Sequence, residues 1–298
     1  MGMKSKGNAV NYVMALFVVF VWSVTFISTK VLLRWLLPTE ILIYRYVVAY
    51  LLFFAASPKI MKPLSLKDEI SFFFAGLLGV TLYFLCENFA LRYSLASNVS
   101  MLVTVSPMLT GIFAHFFTET EKITKRFAVG CVFGLAGVFL LVFNGHFILK
   151  LNPLGDLLAI CAALTFAIYS IIIRNIDSAR YSASVITRKS FFYALLTLVP
   201  LCFTPLCKFE LAPLKRFDVM ANLLFLGVCA SAACFLLWNK VIWGLGAARA
   251  NNLIYLIPPM TMIAAAVVLH ERITVFAVAG GLLILAGVFI SQKQKRDG

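Results

Sequence analysis

The 298-residue chain is 62% hydrophobic and 13% charged, with a mean hydropathy of +0.97; soluble domains run at roughly 45–50% and about 25%. A soluble globular domain is excluded, because no core of this size hides so much apolar surface. The net charge of +14 does not indicate nucleic acid, since the bases sit between apolar runs, where cytoplasmic loops carry them, and form no basic face.

A membrane-crossing helix needs about 20 largely apolar residues. Polar and proline punctuation divides the chain into ten such runs, at about 12–33, 38–57, 69–92, 96–118, 126–144, 154–174, 186–207, 217–243, 247–269 and 273–291. The first comes after a short basic stretch with no prompt small-x-small cleavage site, so it reads as a retained span. Connections at 93–95 and 244–246 are short enough to force tight antiparallel hairpins. Assigning loops alternately places thirteen lysines and arginines on the side of the N-terminus and seven on the other. The positive-inside rule then puts both termini in the cytoplasm and the protein in the cell membrane. The seventh loop, with Lys208, Lys215 and Arg216, runs against that trend.

Within the third run, "FLCENFAL" at 84–91 sets the carboxylate of Glu87 beside the amide of Asn88. A charge inside the bilayer costs at least ~2.5 kcal/mol, so it marks a functional site by default. Glu87 lies roughly one and a half turns from the outer end of its helix, at the level of Lys30 in the first run and Arg45 in the second. Two readings stay open: Glu87 pairs with Arg45 or Lys30 and holds helices together, or it binds a proton or a substrate amine. Arg45 and Arg188 are candidates to receive a substrate carboxylate; Lys30 and Lys240 can equally snorkel to the headgroups.

Pro107 and the Pro258-Pro259 pair fall inside the fourth and ninth runs and are expected to kink them, freeing a backbone carbonyl at depth. Gly130-x-x-x-Gly134 with Gly137, and Gly280-Gly281 with Gly287, form small-residue faces suited to close helix packing within the chain or to a dimer seam. The seven cysteines show no CxxC or Cys/His spacing. His115, His146 and His270 are scattered, and no P-loop, HExxH or GxSxG motif occurs. No metal, cofactor or catalytic residue is expected, and the chain reads as no enzyme.

The sequence is also written twice. "LAGVF" at 135–139 returns at 285–289, and "EKIT" at 121–124 returns as "ERIT" at 271–274. At an offset of 151, Gly76, Asn88, Ala96 and Pro107 match Gly227, Asn239, Ala247 and Pro258; at 144, Trp22 and Lys30 align with Phe166 and Arg174; at 143, Arg45 aligns with Arg188. Glu87 has no acid as its counterpart: Trp238 stands there. Residues 1–150 and 151–298 thus read as two five-span repeats, and an odd span number inverts the second relative to the first.

Ten spans in this duplication, with "TEKIT" and "HERIT" before the last span of each half, Trp22-Ser23-x-x-Phe26, and the hairpin "ALRYSLASNVSMLVTVSPM", resemble the EamA family of the drug/metabolite transporter superfamily. The resemblance implies an all-α integral membrane protein of ten transmembrane helices in two inverted five-helix repeats. It implies export of small metabolites, amino acids first among them, coupled to protons or running down the substrate gradient. It also implies a cavity built chiefly from helices 1, 3, 4, 6, 8 and 9. On those helices the cavity candidates are Trp22, Tyr83, Glu87, Asn88, Tyr169, Trp238, Asn239, Asn252 and Tyr255, with Asn251 beside them; Lys30, Arg45 and Arg188 are gate candidates. Core or lipid-facing packing is the competing use of each aromatic. The expected partners are a small solute and the bilayer, with the chain as a monomer or weak homodimer. A membrane enzyme or passive channel on the same scaffold is the alternative class.

Overall fold

The structure, a computed structural model, describes residues 2–56, 65–94, 96–119, 121–143, 152–261, 263 and 275–292. The "ERIT" stretch, His146, His270 and the loop bases Lys59, Lys62, Lys150 and Arg272 lie outside the described residues.

Every regular element among the described residues is helical. They are α1 (Gly2–Leu32), α2 (Pro38–Ala56), α3 (Leu66–Tyr93), α4 (Val99–Phe117), α5 (Lys125–Phe143), α6 (Pro153–Asn175), α7 (Ala183–Phe203), α8 (Phe217–Leu245), α9 (from Ala247–Asn252 onward) and α10 (Val275–Gln292). All but α5, α9 and α10 are long and apolar enough over their described residues to cross a membrane. Much of α9 lies outside the described residues, so the expected count of ten spans is not traced in full.

Three helix starts precede the apolar runs: α1 begins at Gly2, not near 12, because the polar stretch ahead of the run is already helical. α3 begins at Leu66, not near 69, because Ser65 caps it: the Ser65 hydroxyl accepts from the Asp68 amide at 3.1 Å, and Asp68 and Glu69 sit in the first turn, where the helix dipole favours acids. α7 begins at Ala183, not near 186, and takes Arg188 and Lys189 into its buried face.

Two pairs of interruptions recur at the offset of the sequence repeat. α3 widens into a π-helical segment over Leu77–Leu82, and α8 does so over Phe225–Ala233. A π turn opens the i→i−4 ladder and leaves carbonyls for outside donors. Tyr46 Oη donates to Val80 O at 2.7 Å, and Trp22 Nε1 donates to Ala230 O at 3.2 Å. α4 breaks at Thr104 and Val105, and α9 tightens to a 3-10 turn over Leu253–Leu256. Each break lies just before a proline, which removes one ladder donor and disfavours helical backbone in the residue ahead of it.

Helices α5 and α10 pack directly on each other. A methyl at Gly130 would meet Gly287 O and Ser291 Cβ at 2.6 Å, and one at Gly137 would meet Gly280 O at 2.7 Å. The small faces therefore serve contact within the chain.

Candidate functional site

The π segments set the site by rotating the helical turns on their C-terminal side. Tyr83, Phe84 and Glu87 come after the first; Cys234, Phe235 and Trp238 come after the second. Phe84 and Phe235 stand 151 residues apart in sequence and meet with ring centroids 5.9 Å apart. Trp22 of α1 and Phe166 of α6, the other aligned aromatic pair, also meet at 5.9 Å, edge to face. These four rings surround a small central cavity of about 20 Å³, which α4 and α9 complete beside their breaks with Ser100, Val103, Thr104 and Ser106 on one side and Ile254 and Ile257 on the other. This is about the space of one water, so the walls must part to admit a solute.

Glu87 lines the cavity and is 2% exposed. Tyr83, one turn back, lines the cavity beside it, and Arg45 acts on the carboxyl electrostatically. Neither Lys30 nor Arg45 forms a contact ion pair with Glu87. Lys30 donates to Leu91 O and to Ser94 O, the latter at 3.1 Å, capping the C-terminal end of α3. The Arg45 guanidinium lies 4.2 Å from the Phe84 ring centre, its Nε donates to Ser231 Oγ of α8 at 2.8 Å, and its Nη2 has no partner among the described residues.

The other candidates divide. Trp22 and Tyr83 line the cavity. Asn88, the next residue round α3, turns away from the cavity and donates to Pro38 O at 3.2 Å. Trp238, fully buried, packs on Trp22 at 5.0 Å. Tyr169 donates to Asn239 Oδ1 at 2.6 Å, and Asn239 donates to Thr187 Oγ1 at 2.9 Å, a chain joining α6, α8 and α7. Asn252 and Tyr255 face α5, at Cys131 and Gly134 respectively, and Asn251 donates to Ala247 O of its own helix. Arg188 is buried on α7. Pro107 and Pro258 stand at the two helix breaks. Cavity residues not singled out from sequence include Thr25, Phe84, Phe235 and Ile254; the 151-residue offset applied to Phe84 is the signal that pairs it with Phe235.

Polar networks close both ends of the bundle. On the side where α4 ends, Glu121 accepts from the amides of Ala247 and Ala248, both at 2.9 Å, and pairs with Arg174 Nε at 2.8 Å. Arg174 also donates to Trp243 O at 3.1 Å, the counterpart of Lys30 on α3. Nearby, Glu69 binds Lys189 Nζ and Tyr193 Oη, both at 2.5 Å, joining α3 to α7. Tyr181, in the α6–α7 connection, donates to Asp68 at 2.7 Å; burial and that carboxylate push its phenol pKa up. At the opposite end Glu40 accepts from the amides of Leu37, Lys208 and Phe209 at 2.6–2.8 Å. Burial pushes the adjacent Cys207 thiol up to about 11, so it stays protonated at neutral pH.

A family model for EamA-like transporters matches residues 10–143 and, a second time, 153–292. The chain belongs to the EamA-like transporter family. This EamA protein is 25% identical over 295 residues to an uncharacterized transporter of Archaeoglobus fulgidus, covering 97% of this chain and 100% of that one. It is likewise 25% identical over 290 residues to a probable amino-acid metabolite efflux pump of Escherichia coli, covering 94% and 93%. A solved crystal structure superposes with a TM-score of 0.75 over 95% of this chain and 96% of the other at 18% identity, which shows a shared fold.

Proposed function

We propose that this protein is a secondary transporter that exports small amphipathic metabolites, amino acids and related compounds among them, across the cytoplasmic membrane. Two inverted five-helix halves, 1–150 and 151–298, rock about the central cavity with both termini in the cytoplasm. The observation that carries this reading is the buried Glu87 in an aromatic-walled cavity between the aligned halves, where inverted-repeat carriers hold their solutes. The interrupted helices α3, α4, α8 and α9 supply the joints: π and 3-10 segments give a helix places to bend. Glu87 is also the group through which protons would couple to transport.

Comparison of the medium and cell extracts of overexpressing cells with those expressing Glu87→Gln tests this. Small amphipathic solutes depleted inside and enriched outside, only with the wild-type chain, are the expected result. An unchanged solute profile with an altered membrane lipid would contradict it and indicate an enzyme.

A further inference from the structure

We propose that the cavity selects a solute by a protonated amine and an apolar, preferably aromatic, body, and that it provides no receptor for a carboxylate. The inference rests on the transporter reading and names the solute class of that same cavity.

The two walls differ in kind. The polar groups facing the cavity come from α1, α3 and α4, whereas α6, α8 and α9 contribute Phe166, Phe235, Ile254 and Ile257. Sequence alignment of the halves explains this: Glu87 faces the position of Trp238, and Ser106 that of Ile257. A solute bound here has its polar end on the first half and its apolar body on the second.

The polar wall is also an acceptor wall. Among the described residues, Glu87 is its one ionisable acid, and no lysine or arginine lines the cavity. Arg45 lies behind Phe84 with its Nε committed to Ser231. Thr25 donates its hydroxyl proton to Trp22 O at 2.7 Å, and Thr104 donates its own to Met101 O at 2.5 Å. Both hydroxyls therefore offer lone pairs to the cavity and no proton. Ser106 is fully buried, lines the cavity and has no partner among the described residues; it is an unclaimed group waiting for a ligand atom. Pro107 cannot donate to the carbonyl of Val103, a cavity-lining residue, whereas Ile254 O accepts from the Ile257 amide.

An ammonium group has three donors and needs acceptors, and a carboxylate needs donors. The ammonium meets Glu87, the threonine oxygens and the faces of Trp22 and Phe84, where ring quadrupoles attract cations. A carboxylate would be desolvated with no lysine or arginine beside it and only serine hydroxyls to accept from, the costly case of an unpaired buried charge.

The test is equilibrium binding to the purified full-length protein in detergent, read by calorimetry and by tryptophan fluorescence, with three probes sharing one ring: phenethylamine, phenylalanine and 3-phenylpropionate. Phenethylamine is expected to bind most tightly, phenylalanine about tenfold or more weaker, and 3-phenylpropionate not measurably, because each 1.4 kcal/mol of unpaired polarity is a factor of ten. Glu87→Gln should weaken phenethylamine about tenfold or more. Phe166→Leu, which keeps the polar wall, should weaken phenethylamine and its ring-saturated analogue unequally, with the aromatic losing more. Binding of 3-phenylpropionate or phenylalanine at least as tight as phenethylamine overturns the inference and leaves the transporter reading intact. Absence of phenethylamine binding also overturns it. Amine binding in this order without solute counterflow in proteoliposomes upholds the inference and defeats the transporter reading.

Discussion

Replacing Gly246 with alanine imposes two separate costs at one end of the bundle. Gly246 joins α8 to α9 with φ of +91° and ψ of 157°, a backbone region essentially reserved for glycine that costs an L-residue about 1–3 kcal/mol. Its added Cβ would also sit 2.8 Å from Glu121 Cδ and Oε1. Displacing that carboxylate breaks the bonds to the Ala247 and Ala248 amides and the ion pair with Arg174. Hydrogen bonds to charged groups contribute about 1.5–3 kcal/mol each, but Glu121 and Arg174 keep 13% and 27% of their side-chain surface exposed, so water replaces part of the loss. The total comes to about 3–4 kcal/mol, which for a chain of this length lowers Tm by roughly 5–6 °C. The assay is thermal unfolding in detergent monitored by tryptophan fluorescence, with Glu121→Ala and the double variant completing a cycle. The double variant should recover the steric part and keep the backbone part, so the two substitutions are less than additive. A Gly246→Ala protein with unchanged Tm, or strict additivity with Glu121→Ala, would refute the reasoning.

Gly79→Ala places a methyl against the Tyr169 ring, 2.7 Å from its Cβ; overpacking of this kind costs about 1–3 kcal/mol, and folded yield after size exclusion should fall sharply. Trp22→Phe keeps the ring stack but removes the bond to Ala230 O, so Tm should drop by the equivalent of about 1 kcal/mol; a rise would argue against an anchored π segment. Glu69→Gln and Lys189→Met, measured singly and together, should show a coupling of about 1–3 kcal/mol in thermal unfolding, since the pair is mostly buried. No coupling would show that α3 and α7 do not depend on it.

The sequence carried the helical class and the duplication, because apolar runs of about 20 residues and repeated prolines and glycines survive as letters. It carried the breaks of α4 and α9 through Pro107 and Pro258, but not the π segments of α3 and α8. A π segment is one extra residue in a hydrogen-bonded ring, and nothing in "LLGVTL" at 77–82 spells that out. The rotation it produces decides which residues face the cavity. Glu87 and Asn88 look like one polar unit in the sequence, yet successive helical residues point about 100° apart: Glu87 turns inward and Asn88 bonds Pro38. Asn251 and Asn252 stood out as amides at depth, but local bonds and α5 absorb them. The less conspicuous Ile254 and Ile257 form the wall instead. The start of α3 was concealed by Lys67 and Asp68, which lie ahead of the apolar run that begins near 69; Asp68 serves with Glu69 as a first-turn acid.

Solute counterflow in proteoliposomes tests the central claim most directly. Purified protein is reconstituted, loaded with unlabelled phenethylamine or amino acid, and given the labelled solute outside. The account predicts transient, saturable accumulation of label against its gradient, strongly reduced by Glu87→Gln in a protein that still folds. Equilibration without overshoot would indicate a channel, and full counterflow by Glu87→Gln would remove Glu87 from the transport site; either contradicts the account.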